Sequence, residues 1–175
     1  IMWLKLNLEG MKLELQISNY EPSETEHWDV QWCHVDYHFT FFNCIDYSKS
    51  WEPVFLACEI EELESNINAL LSGKIKKTER MEPIEPDFEF VFYPKCYAQE
   101  GENGISVMPK HEIADIIMEW EVHLWDDGLT ANRFITALDR QDMIILRDYL
   151  RLVMGSLNAE SMEIQELIKS RKIVL

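Results

Sequence analysis

Alternation of apolar and polar residues with a period of two is the feature that most constrains this fold, because it is the period of a half-buried β-strand. The longest such segment is residues 28–41. One face of it carries Cys33, Val35, Tyr37, Phe39 and Phe41, which we expect to point into the core. Further strands are predicted over residues 11–19, 88–92, 113–125 and 133–138. Turns separate most of these strands, which favours antiparallel pairing.

The apolar period changes to 3.6 residues in three other places, which indicates helices. The first stripe consists of Ile60, Leu63, Ile67, Leu70 and Leu71, and Gly73 ends it. Asp139 is the predicted N-cap of a second helix, and residues 159–170 form a third. The sequence therefore predicts an α+β fold. It comprises a curved, largely antiparallel β-sheet, sandwich-like or partly closed, with one mid-chain helix and two C-terminal helices.

A length of 175 residues fits one domain, residues 1–175, with 157–175 as a C-terminal helical extension. Within that extension the closing apolar residues are expected to dock against the domain. No apolar run approaches the length of about 20 residues that a membrane-spanning helix needs.

The charge balance restricts the partners. There are 16 Lys and Arg against 32 Asp and Glu, a net charge of −16. Such a chain repels nucleic acid and anionic membranes, and it attracts a basic protein. Acidity that only keeps the protein soluble is the other interpretation.

The cysteine pattern and the N-terminus predict a cytoplasmic protein. Cysteines stand at positions 33, 44, 58 and 96, and none forms a Cys-x-x-Cys pair. The first residues resemble no signal peptide. We therefore expect four reduced, unpaired cysteines.

Residues that could perform chemistry are few. His34, Asp36 and His38 share one face of the predicted long strand, but residues along one extended strand rarely converge on a metal ion. A solvated face is the favoured interpretation, with partner contact as an alternative. No nucleophile elbow, zinc-protease motif or P-loop occurs. We predict no metal, no cofactor and no enzymatic activity.

Four tryptophans leave two interpretations open. Trp28, Trp32, Trp51 and Trp125 either line a ligand cavity or, as is more common, fill the core or a seam between sheets.

Several segments together resemble the WapI-like family of bacterial immunity proteins, the antidotes to secreted polymorphic toxins. The segment 28–35 (WDVQWCHV) is similar to a strand of that family, and Leu56, Glu59 and Leu63 are similar to its helix entry. Residues 85–90 (EPDFEF) resemble a further signature. Trp51, residues 132–134 (NRF) and residues 148–150 (DYL) complete the resemblance, which spans about residues 11–155.

The resemblance implies a protein that binds and neutralises a cognate toxin domain. Some toxins of this kind are nucleases with a basic surface, which an acidic inhibitor could occlude. Exposed acids are the candidate contacts: Asp36, Glu61, Glu62, Asp126 and Asp127. The alternative is an acidic, β-rich ligand-binding or regulatory module without a toxin partner.

Overall fold

A computed structural model of the chain describes residues 2–22, 31–95, 99–100, 106–107 and 115–174. In chain order its elements are β1 (Trp3–Leu8), β2 (Met11–Ser18), β3 (Trp32–Phe41), β4 (Ile45–Leu56), α1 (Ala57–Leu71), β5 (Glu79–Met81), β6 (Phe88–Tyr93), β7 (Gln99–Glu100), β8 (Ser106–Val107), β9 (Ile117–Trp125), β10 (Leu129–Leu138), α2 (Arg140–Val153), α3 (Met162–Lys169) and β11 (Ile173–Val174).

The strands form two main antiparallel sheets, which confirms the predicted α+β class and antiparallel pairing. The five-stranded sheet has the order β11-β1-β2-β3-β4, and the four-stranded sheet has the order β10-β9-β6-β5. Strands β7 and β8 pair only with each other. Each main sheet has two free edges in the described chain, so the alternative of a partly closed sheet is wrong.

Aromatic side chains join the two main sheets face to face. The ring of Tyr37 on β3 lies 4.8 Å from that of Phe88 on β6, and the ring of Phe39 lies 5.7 Å from that of Trp120 on β9. Cys33 and Val35 are also buried, as the alternation of β3 predicts. Burial of these apolar side chains provides the main stabilisation of the sandwich, at about 25 cal/mol per Å² removed from water.

Helix α1 begins at Ala57, directly after β4, with Leu56 as its N-cap residue. Glu59 holds the start of the helix: its buried carboxylate accepts hydrogen bonds from the backbone N–H groups of Leu56 (2.8 Å) and Ile84 (2.7 Å). This carboxylate therefore joins the helix start to the loop before β6. Gly73, with φ of +69°, follows the helix in the left-handed conformation that glycine adopts most easily.

Helix α2 begins after Asp139, whose side chain accepts from the N–H of Asp142 as predicted. Asp148 of this helix is buried against Arg147, at 2.8 Å, and near Arg151. Arg151 also contacts Glu64 on α1, at 2.7 Å, so this polar seam holds the two helices together.

The two ends of the described chain meet in the five-stranded sheet. Strand β1, which is not among the predicted strands, pairs with β2 and with β11. The C-terminal extension therefore docks through β11, and its residues Ile164 and Ile173 are buried in the core. In the described parts of the chain, no helix is both long enough and apolar enough to cross a membrane.

Candidate functional site

The outer face of the five-stranded sheet carries the three residues of the long strand that were considered as metal ligands. His38 Nε2 lies 2.7 Å from the carboxylate of Asp46, and Asp36 and His34 have other partners. The three side chains therefore do not converge on a common point.

Trp51 on β4 is the most prominent residue of this face. Its ring is 57% exposed and stacks on the imidazole of His34, with centroids 4.4 Å apart and planes 17° apart. The backbone N–H of Trp51 donates to Asp36 Oδ1 over 3.2 Å. Trp51 has a φ of +59°, and the β3–β4 register shifts between Val35 and its neighbours. An irregularity of this kind redirects a side chain at a sheet edge.

The contacts continue from His34 to the first helix. Asn19 Nδ2 lies 3.3 Å from His34 Nδ1, and the hydroxyl of Tyr20 donates to Glu61 Oε1 over 2.9 Å. Partial burial, and then Glu61, raise the pKa of Tyr20, so the hydroxyl keeps its proton. These contacts define a continuous surface, which we call the Trp51 patch: Asn19, Tyr20, His34, Asp36, Trp51 and Glu61.

The structure brings together only some of the acids proposed as contacts. Asp36 and Glu61 belong to the Trp51 patch, and Glu62 is exposed beside Glu61 on α1. Asp126 and Asp127 are exposed in the β9–β10 turn.

The interpretation of Trp51 as a core or cavity residue is wrong, because the side chain faces solvent. The surrounding residues 48–52 are polar apart from the tryptophan, and this polarity is the sequence signal that could have predicted the exposure of Trp51. Trp125 is half-buried, with the Lys49 ammonium 4.3 Å from its ring centroid. Trp28 lies outside the described residues.

The outer face of the four-stranded sheet holds a different group of charges. Glu119 and Glu121 lie at outward positions of β9, and both are nevertheless buried. The carboxylates of Glu89 and Glu121 and the imidazole of His123 each place one atom within 4.8 Å of the others. Carboxylate oxygen and imidazole nitrogen are metal-ligand atoms. In the described part of the chain this is the group whose geometry suits a metal ion.

A cavity of about 410 Å³ lies beside the start of α2. At its rim Arg140 holds the carboxylate of Asp115 through two contacts of 2.9 and 2.6 Å. These hydrogen bonds lower the pKa of Asp115 to about 2. Burial, and then the charge of Asp139, raise the pKa of Asp142 to about 6. The cavity thus combines apolar walls with a mixed charged rim.

Comparisons with known proteins yield no family. No family model matches the sequence, and no curated protein matches it. One match among solved structures is the plant transcriptional regulator PBF-2, with a TM-score of 0.40 and 11% identity over 98% of this chain and 88% of that one. A likeness this low carries no argument about function.

Proposed function

We propose that this protein is a cytoplasmic, non-enzymatic immunity protein that binds and neutralises a basic toxin domain, of which a nuclease is the foremost candidate. The single observation that carries the proposal is the exposed, immobilised indole of the Trp51 patch. The acidic composition and the resemblance to WapI-like immunity proteins add support.

An exposed tryptophan held in one orientation is suited to anchor a protein interface. Tryptophan is enriched among residues that dominate binding energy. Stacking on His34 holds the ring, and the hydrogen bond from the backbone N–H to Asp36 holds the main chain that carries it, before any partner arrives. Less rotational freedom is then lost on binding, which preserves affinity.

Charge supplies the second element of recognition. The chain has a net charge of −16, and Asp36 of the Trp51 patch contacts the backbone of Trp51 itself. A nuclease concentrates Lys and Arg where it holds phosphate groups. Carboxylates can occupy that surface in place of the phosphates, and their field accelerates the encounter.

The test begins with the protein encoded directly upstream of this gene, whose C-terminal domain the proposal predicts to be the cognate toxin. Co-expression should yield a stable complex, and the purified toxin should lose activity when this protein is added. Trp51→Ala should weaken the complex by at least about 30-fold, the effect of a hot-spot residue worth about 2 kcal/mol, and mainly through faster dissociation. Phe42→Ala is the matched control, because Phe42 is an exposed aromatic residue at the end of the same hairpin.

Charge reversals then identify the surface that steers the encounter. Glu62→Lys, beside the patch, should slow association several-fold at low salt, and less at 0.5 M salt because screening shortens the reach of charge. The double variant Asp126→Lys/Asp127→Lys reverses charges at a separate turn and should have the smaller effect.

One outcome would contradict the immunity function, and another would contradict the role of the Trp51 patch in it. Absence of a complex with the neighbouring toxin domain would remove the immunity function. A complex equally sensitive to Phe42→Ala and Trp51→Ala, or to neither, would retain the function and exclude the Trp51 patch as its anchor.

The cavity beside α2 favours a second candidate function, the binding of a small molecule. Its volume of about 410 Å³ falls in the range of ligand pockets, and its lining combines Ile116, Ile117 and Leu138 with acids. A small organic cation suits this lining. Native mass spectrometry of purified protein would show a bound molecule, and a mass equal to that of the bare chain would count against this candidate.

A further inference from the structure

The charged group on the four-stranded sheet has the geometry of a metal site. Glu89 on β6 lies directly opposite Glu121 on β9, and His123 follows Glu121 on the same face. His123 Nε2 is 3.1 Å from Glu89 Oε1. Ligand atoms about 2.0–2.2 Å from a tetrahedral Zn²⁺ are about 3.3 Å apart, so this pair already has the required separation.

Two ligand atoms of this group have unused bonding capacity. The side chain of Glu121 is only 4% exposed, and its Oε2 accepts no hydrogen bond from the described residues. His123 Nε2 is likewise buried without a hydrogen bond there, because its approach to Glu89 is off the line that such a bond needs. Buried polar atoms without hydrogen-bond partners are uncommon, and a bound ion is one of the known reasons for them.

Arg80 on β5 arranges the two carboxylates in the way that outer-shell residues arrange metal ligands. Its Nη1 contacts Glu89 Oε2, and its Nη2 lies 3.4 Å from Glu121 Oε1. One guanidinium therefore holds one oxygen of each carboxylate. Of the other two oxygens, Glu89 Oε1 faces His123 Nε2, and Glu121 Oε2 accepts no hydrogen bond from the described residues. Ligating carboxylates in proteins are commonly held by such hydrogen bonds.

We propose that Glu89, Glu121 and His123 bind one divalent transition-metal ion of the Zn²⁺ and Co²⁺ class. Three protein ligands of mixed oxygen and nitrogen type leave a fourth position for water, as in open zinc sites. The proposal is independent of the immunity function, because it rests on contacts of the four-stranded sheet and not on the Trp51 patch.

Arg133 is the competitor for this site. It lies opposite His123 in the β9–β10 register, and its Nε is 3.6 Å from Glu121 Oε2. Its side chain is 54% exposed, so it can turn into solvent when an ion enters. Removal of this cation should strengthen metal binding, whereas a purely structural ion-pair network gives no such gain.

Titration of the untagged, metal-free chain with Co²⁺ tests the proposal. We expect one equivalent to bind, with visible absorption bands of four- or five-coordinate cobalt, and Zn²⁺ to displace it. Glu121→Gln and His123→Ala should remove the bands, and Arg133→Gln should lower the dissociation constant several-fold. His38→Ala, which changes an exposed histidine of the other sheet, should bind as the parent does.

Three results would overturn the proposal. The first is the absence of stoichiometric cobalt bands in the parent. The second is binding that survives Glu121→Gln and His123→Ala, or that His38→Ala removes. The third is binding that Arg133→Gln leaves unchanged or weakens. If either buried variant fails to fold by circular dichroism, Glu89→Gln replaces it, because Glu89 is the more exposed ligand.

Discussion

The outer faces of the two sheets use charge in opposite ways. On the five-stranded sheet the pairs are exposed: Lys5 and Glu14 lie 2.7 Å apart with both side chains more than 40% exposed. On the four-stranded sheet Glu121 is almost fully buried and lies between two arginines. Both faces have the same alternation of residues along their strands, so alternation fixes which way a side chain points and not how much water it meets.

The difference determines what each face can contribute. Charges on the open face are screened and available to a partner, and their pairing adds little to stability. Charges on the covered face must be compensated within the protein, because a buried carboxylate without a partner is costly. We therefore expect recognition from the five-stranded sheet, and structure or ion binding from the four-stranded sheet.

The largest effect is expected from Arg80→Ala. Loss of this guanidinium leaves the buried carboxylate of Glu121 with only the more distant Arg133 as a cationic neighbour. The negative charges of Glu121 and Glu89, which lie opposite each other, then repel without compensation. The free energy of unfolding should fall by about 3 kcal/mol. Urea denaturation with a metal chelator present measures it.

Lys5→Ala on the open face is the control for Arg80→Ala and should change the free energy of unfolding by less than about 1 kcal/mol. High salt should reduce the effect of Lys5→Ala further and leave most of the effect of Arg80→Ala. Equal effects of the two variants would invalidate the distinction between the faces.

A smaller effect is expected at Trp51, which has a positive φ that glycine tolerates better than other residues. Trp51→Gly should therefore be about 1 kcal/mol more stable than Trp51→Ala, although both lose the interface anchor. Ser50 is an exposed neighbour without a positive φ, so there the alanine variant should be more stable than the glycine variant. Thermal unfolding of the four variants compares them. The same order at both positions would show that the Trp51 backbone is not strained.

The smallest effect is expected at Asp142, which is intermediate in exposure between the two faces. Its pKa in the folded protein, about 6, is above the value of about 3.9 for an unfolded chain. Its protonated form therefore favours folding, and this contribution is lost as pH rises from about 4 through 6. Asp142→Asn should gain stability relative to the parent over that interval, by no more than about 1 kcal/mol because solvent screens the site.

Urea denaturation between pH 4 and pH 7 measures the effect of Asp142→Asn. Asp126→Asn, in an exposed turn, is the control. A difference between Asp142→Asn and the parent that does not vary with pH would contradict the raised pKa.

The sequence was a good guide to local structure and a poor one to burial of charge. The period of two located β3 and its core face, and Asp139 located the start of α2. Strand β1 was missed although Leu4, Leu6 and Leu8 alternate with polar residues, whereas its pairing with the distant β11 had no local signal. The candidate site was found only in part. Asp36 and Glu61 were named, while Trp51 was expected in the core or in a ligand cavity.

Sequence by itself determined the α+β class, the inward face of β3 and the acidic character, since these depend on residue type and on spacing along one segment. Tertiary structure decided which polar residues became buried, because burial depends on what neighbouring strands and covering segments supply. Glu121 and Asp36 are both acids at outward positions of a strand, yet the first lies between arginines and the second holds an exposed tryptophan. The pairing of β6 with β9 and of β3 with β4 created that difference.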